Sequence, residues 1–143
     1  MEIEEPTETT KELHRSLVDL LRQLSDTAAA PTEDQLREIV ASPATVLFVA
    51  RLDRQIVGTL TLALFRAPTG LRAHIEDVVV AESARGRGVG SALTHAALDR
   101  ARDLGARTVE LTSRPTRTAA NAMYQRLGFR LRTTNVYRYD FSA

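Results

Sequence analysis

Six residues near the middle of the chain, Arg85 to Gly90, read RGRGVG: three glycines and two arginines between the apolar run Val78 to Val80 and a helix-like stretch from Ser91 onward. A backbone this bare is useful where an anion must approach main-chain N–H groups. Successive amides at the mouth of a helix, together with the positive end of its dipole, form a cradle for phosphate oxygens. Arg85 and Arg87 add charge of the complementary sign. The glycines at 86, 88 and 90 do not fit G-x-G-x-x-G, no carboxylate stands where a dinucleotide's ribose would be held, and no Gly-Lys-Ser/Thr follows, so neither a Rossmann nor a P-loop site is indicated. A glycine cluster before a helix is also what a merely flexible loop looks like, and the loop alone leaves both readings open.

Composition narrows the chemistry. The 143 residues contain no cysteine, which excludes a disulfide framework, a Cys-ligated metal and a thiol nucleophile. The three histidines, His14, His74 and His95, have no metal-ligand spacing, so no metal is expected. The net charge is +1, yet residues 1–84 hold 8 Lys+Arg against 14 Asp+Glu and residues 85–143 hold 11 against 4. The basic half opens at the glycine loop, which suits an anionic ligand there. Nucleic acid is not expected as a partner, because only Lys11 among the 19 basic residues is lysine, aromatics make up 5% and no nucleic-acid motif is present. No apolar run reaches the length of a membrane span and the acidic N-terminus has no apolar core, so the expectation is a cytoplasmic protein away from membranes.

The elements that must position the loop follow from periodicity. Leu13, Leu17, Leu20, Leu21 and Leu24 predict a helix over roughly 7–25. Thr32 with Gln35 forms a capping-box signature before Leu36, Ile39 and Val40, which predicts a second helix. TVLFVARL, the turn DRQ and IVGTLTLALF predict a hairpin, with APTG ending it, and RAHIEDVVV predicts a further strand. After the loop, Val89, Leu93, Ala97, Ala101 and Leu104 share a helical face that stops at Gly105. RTVELTS reads as a strand, TAANAMYQRLGF as a helix stopped at Gly128, and RLRTTNVYRYDF as a closing strand or hairpin. The expected fold is α+β, one domain over 1–143, with a mixed, mostly antiparallel sheet of about six or seven strands flanked by about four helices.

The stretch VVVAESARGRGVGSAL resembles the acetyl-CoA signature of the GNAT superfamily of N-acetyltransferases, Arg/Gln-x-x-Gly-x-Gly/Ala, which Arg85, Gly88 and Gly90 fill. NAMYQRLGF, with Asn121, Tyr124, Leu127, Gly128 and Phe129, is similar to that family's Asn-x-x-Tyr-x-x-x-Gly-Phe segment, and stands in the correct order downstream. The resemblance implies splayed fourth and fifth strands that admit the pantetheine arm of acetyl-CoA. It further implies that the backbone of Val78, Val79 and Val80 bonds that arm, and that Arg85, Gly86, Arg87, Gly88, Val89, Gly90 and Ser91 hold the pyrophosphate. Asn121 would touch the pantetheine, and Tyr124, near the sulfur, would protonate the departing thiolate. HIEDVVV resembles small-molecule members such as glucosamine-6-phosphate N-acetyltransferase.

Transfer from a thioester to an amine also needs a base. In a regular strand His74 and Glu76 share one face and Asp77 the other, and a bulge would reverse the parity and bring Asp77 forward. Glu76, His74, Asp77 and a water chain therefore stand as candidates. Arg66, Arg72, Arg114 and Arg117 are placed to meet an acidic group on the acceptor, although a solvated arginine is the commoner case. With no cysteine, direct attack in a ternary complex is the simplest course. The expected activity is acetyl transfer to a primary amine of a small molecule. A protein N-terminal or lysine acetyltransferase and a non-catalytic acyl-CoA-binding module are the alternatives, and a homodimer is left open.

Overall fold

The computed structural model describes residues 1–25 and 29–142. They form two compact units, Met1–Thr112 and Ser113–Ala143. Among the described residues no helix is long and apolar enough to cross a membrane.

The first unit is a five-stranded sheet with helices on both faces. Its elements are β1 (Glu2–Glu4), α1 (Lys11–Leu21), α2 (Glu33–Ala41), β2 (Thr45–Leu52), β3 (Gln55–Ala67), β4 (Gly70–Val80), a 3-10 turn (Glu82–Ala84), α3 (Val89–Asp103) and β5 (Val109–Glu110). The strands lie in chain order; the first three pairings are antiparallel and β4 runs parallel to β5 through the α3 crossover.

The leucine stripe works as its period predicts. Leu13 and Leu17 of α1 and Leu36 of α2 bury against Leu47 and Val49 of β2, with Ile39, Val40 and Ile56 around them; each such side chain contributes about 1.5–3 kcal/mol. α1 is shorter than the expected 7–25, because Thr10 caps it by accepting from the Leu13 N–H at 3.1 Å. The capping box at α2 is present as expected, with both the Thr32 and Gln35 side-chain bonds made. The hairpin turn between β2 and β3 is two residues, Asp53 and Arg54, both at positive φ (48° and 69°), which matches the right-handed twist of the flanking strands. α3 buries Val89, Leu93, Ala97 and Ala101 at intervals of four. It ends at Gly105 (φ +90°), where the Gly105 N–H donates to Arg102 and the Ala106 N–H to Ala101, a Schellman stop.

The sheet differs from the expectation in its strands. β1 has only Ile3 as an apolar residue and carries no periodic signal; its pairing with Arg51, Ala50 and Val49 makes it a strand. Among the described residues the sheet holds five strands instead of six or seven. β5 is only two residues long, and residues 129–140 form no strand.

The second unit contains α4 (Thr118–Arg126) and a C-terminal segment that is neither helix nor strand. α4 ends at Gly128 (φ +100°), where the Gly128 N–H donates to Gln125 and the Phe129 N–H to Tyr124. This is a second Schellman stop, and the Phe129 ring packs edge-on against Tyr124 at 5.6 Å between centroids.

Candidate functional site

The glycine loop sits where β4 hands over to α3. Gly86 (φ +77°) and Gly88 (φ +79°) are both left-handed, a region that L-residues enter at a cost of about 1–2 kcal/mol. Nothing lies within 4 Å of a Cβ built on either, so backbone conformation and open space, not crowding, call for glycine there. Gly88 is the N-cap of α3 and brings no side-chain cap. The first-turn amides of Val89, Gly90 and Ser91 therefore face outward without a capping side chain, as an anion site requires. Arg85 and Arg87 are exposed beside them, with Arg85 3.9 Å from Glu82.

A residue that sequence reasoning missed holds this loop in place. A Cβ on Gly58 of β3 would meet Val89 Cγ1 at 2.9 Å and Leu93 Cδ1 at 3.1 Å. Gly58 thus lets the first turn of α3 sit directly on the sheet. The only signal was a glycine inside an apolar strand pattern, which marks a close approach.

β4 is bulged. Thr61 pairs with Glu76 and Thr59 with Val79, so Asp77 and Val78 together oppose Leu60, and Asp77 is left-handed at φ +50°. His74 and Glu76 keep their common face, and beyond the bulge Val79 continues it. Asp77 stands exposed at the bulge itself. Neither Glu76 nor Asp77 is held in an ion pair among the described residues. The His74 ring lies tilted against Phe65, 5.4 Å between centroids.

β4 and β5 pair only at Ala73–Val109 and His74–Glu110, while β4 continues to Val80. The splay expected of the fourth and fifth strands is therefore present. Beyond His74 the β5-side edge of β4, including the backbone of Val78, Val79 and Val80, has no ladder partner among the described residues, and an extended polar chain can bond to such an edge.

In the second unit Tyr124 is buried. Its hydroxyl is pushed above the usual phenol value by burial, an effect opposed by the charge of Arg117. The Asn121 side-chain amide donates to the Arg114 carbonyl at 3.0 Å, tying the residues before α4 to its first turn. The Ser113 hydroxyl is buried without a hydrogen-bond partner among the described residues. Arg66, Arg72, Arg114 and Arg117 are exposed, and Arg72 donates to Thr69.

The model of the acetyltransferase (GNAT) family matches residues 11–129 of this chain. The chain belongs to that family. Its α+β fold, with a mixed open sheet, is shared by solved structures over nearly the whole chain. An aminoglycoside acetyltransferase from an uncultured soil metagenomic sample superimposes with a TM-score of 0.85 at 21% identity, covering 97% of this chain and 94% of that one. Glucosamine-6-phosphate N-acetyltransferase from Arabidopsis thaliana gives 0.82 at 20% identity, covering 96% and 97%. Among curated proteins, N-alpha-acetyltransferase 30 of Schizosaccharomyces pombe is 37% identical over 71 residues, which is 50% of this chain and 47% of the relative. The match thus spans about half the length of that protein.

Proposed function

We propose that the protein is an acetyl-CoA-dependent N-acetyltransferase that moves the acetyl group to a primary amine, that of a small molecule, by direct attack in a ternary complex. The observation that carries the reading is the uncapped mouth of α3, with two left-handed glycines in front of it, at the end of a strand whose edge is left open by the splay of β5. The fit to acetyl-CoA is good: the open space over Gly86 and Gly88 accommodates a pyrophosphate against the amides of residues 86–91, and Arg85 and Arg87 supply countercharge. The free edge at Val78, Val79 and Val80 offers backbone groups to an amide-bearing arm, and Asn121 is assigned to the same arm.

Acetyl-CoA, when bound, supplies an activated thioester carbonyl. The amine nitrogen must reach that carbon as a free base. Glu76 and His74, on one face of β4, are assigned the amine's proton, with Asp77 at the bulge as the third candidate. The new C–N bond forms as the C–S bond breaks, and the Tyr124 hydroxyl gives its proton to sulfur. Burial raises the Tyr124 hydroxyl further above the usual phenol value, so it carries its proton throughout the neutral range.

The 37% identity to an N-alpha-acetyltransferase favours a second reading, in which the amine is the N-terminus of a polypeptide. One experiment separates both from a binding module without turnover. The protein is incubated with acetyl-CoA and separate pools of polyamines, amino acids, amino sugars, aminoglycosides and short peptides while free thiol is followed. Thiol release with a small amine supports the first reading and release with peptides alone the second; binding with no release in any pool rejects catalysis.

A further inference from the structure

Among the described residues two polar side chains are buried, Thr59 at 2% and Thr94 at 0% exposure. Thr59 has a packing reason: its hydroxyl donates across the sheet to the Phe48 carbonyl at 3.0 Å and so joins β3 to β2. Thr94 has no such reason. It stands in the buried stripe of α3 with Leu93 and Ala97, and its hydroxyl donates at 2.7 Å to the Gly90 carbonyl of the same helix. That bond joins no two elements, and valine would fill the same space. A threonine bonded back to the fourth carbonyl before it also slightly destabilises and bends a helix. A local rule broken inside an apolar stripe points to a use in the site nearby.

The carbonyl that Thr94 holds belongs to the cradle. Gly90 lies in the first turn of α3 with a helical backbone, and a glycine there leaves the adjoining peptide units freer than any other residue would. The unit linking Gly90 to Ser91 is planar, so fixing its carbonyl fixes the Ser91 N–H, which points the opposite way, out of the helix mouth. The next amide, that of Ala92, already donates to the Gly88 carbonyl at 3.0 Å, so the Ser91 N–H is the innermost donor that the first turn leaves for an anion. We propose that Thr94 is a positioning residue for the co-substrate. Its hydroxyl joins the Thr94 N–H, which helical geometry brings to the same oxygen, and together they lock and polarise the Gly90–Ser91 peptide. The Ser91 N–H then meets a diphosphate oxygen as a donor already aimed. This inference rests on the acetyl-CoA reading of the loop and adds to it a buried residue one turn further along the helix.

Calorimetric titration of the full chain tests this with three ligands: acetyl-CoA, ADP, which keeps the diphosphate, and S-acetylpantetheine, which lacks it. Thr94→Val keeps the shape and removes the donor. It is expected to bind acetyl-CoA and ADP about three- to tenfold more weakly, the worth of one ordinary hydrogen bond, and to bind S-acetylpantetheine as the parent does. Thr94→Ser, which keeps the hydroxyl, is expected to match the parent with all three. Unchanged affinity of the valine variant for acetyl-CoA and ADP, an equal loss for all three ligands, or a serine variant as weak as the valine one overturns the proposal while the parent still binds acetyl-CoA. A parent that binds no acetyl-CoA overturns the co-substrate reading itself, and the proposal with it. Magnetic resonance of the unmodified chain is independent of how the variants fold. The Ser91 amide proton is expected to move downfield when ADP or acetyl-CoA binds; a Ser91 signal that stays in place while the Gly86 and Gly88 amides shift also overturns the proposal.

Discussion

At the scale of single residues, the two assigned motifs separate into conformational and chemical requirements. Gly128 and Phe129 are explained by the end of α4 alone, since Gly128 supplies the left-handed turn and Phe129 packs on the Tyr124 ring. The hydroxyl of Tyr124 is left over, and it is the part assigned to proton transfer. Tyr124→Phe keeps the ring and its contact with Phe129, so turnover should fall roughly 10²- to 10⁴-fold while acetyl-CoA affinity stays within a few-fold. Full turnover, or a loss accounted for by weaker binding, would assign the acid elsewhere, with Thr112 and Ser113 next in line. The same hydroxyl makes a pH prediction. Its folded pKa is raised above the ordinary value of 10.0, so the folded state holds its proton longer than the unfolded chain does. The associated stability is complete below pH 10 and declines as pH rises from there through the folded value. Thermal melts of Tyr124→Phe should show a shallower decline above pH 10 than the parent. Gly88→Val forces a β-branched residue into φ +79°. It should weaken acetyl-CoA binding at least tenfold, as read by calorimetric titration, because the residue must either strain or reorient the amides behind it.

Among the elements, the seat of α3 on β3 decides where the cradle stands. Gly58 is buried under Val89 and Leu93, and Gly58→Ala introduces a methyl group 2.9 Å from a β-branched side chain packed in the first turn. Overpacking of this kind costs about 1–3 kcal/mol. The substitution should lower the midpoint of denaturant unfolding and also weaken acetyl-CoA binding, since the turn that must move carries the cradle. Lowered stability with unchanged affinity would mean that the relief comes from the strand. The β4 bulge acts at the same scale, because one extra residue opposite Leu60 moves Val79 onto the face of His74 and Glu76 and presents Asp77 outward.

For the molecule as a whole, ligand binding and folding are linked. A ligand that binds only the native state adds about 2.7 kcal/mol at a hundredfold excess over its dissociation constant. Acetyl-CoA should therefore raise the melting temperature measurably, and dephosphorylated fragments much less, because the cradle answers to phosphate. A melting temperature unmoved by millimolar acetyl-CoA would overturn the proposed co-substrate.

The features legible in the sequence are those that a residue and its near neighbours determine. The leucine stripe, the Thr32 and Gln35 capping box, the stops at Gly105 and Gly128 and the bare loop from Arg85 to Gly90 all depend on helical period or on a backbone angle that glycine adopts most readily, so each was legible without a partner. Tertiary structure decided the features that depend on a neighbour distant in sequence. β1 is a strand because β2 lies beside it, and β4 bulges because its register is set against β3. Gly58 matters because of a helix some thirty residues later, and β5 pairs only where β4 is within reach. The closing strand or hairpin read at residues 130–141 lies in no sheet among the described residues, because an extended strand, unlike a helix, must find its hydrogen bonds on another segment.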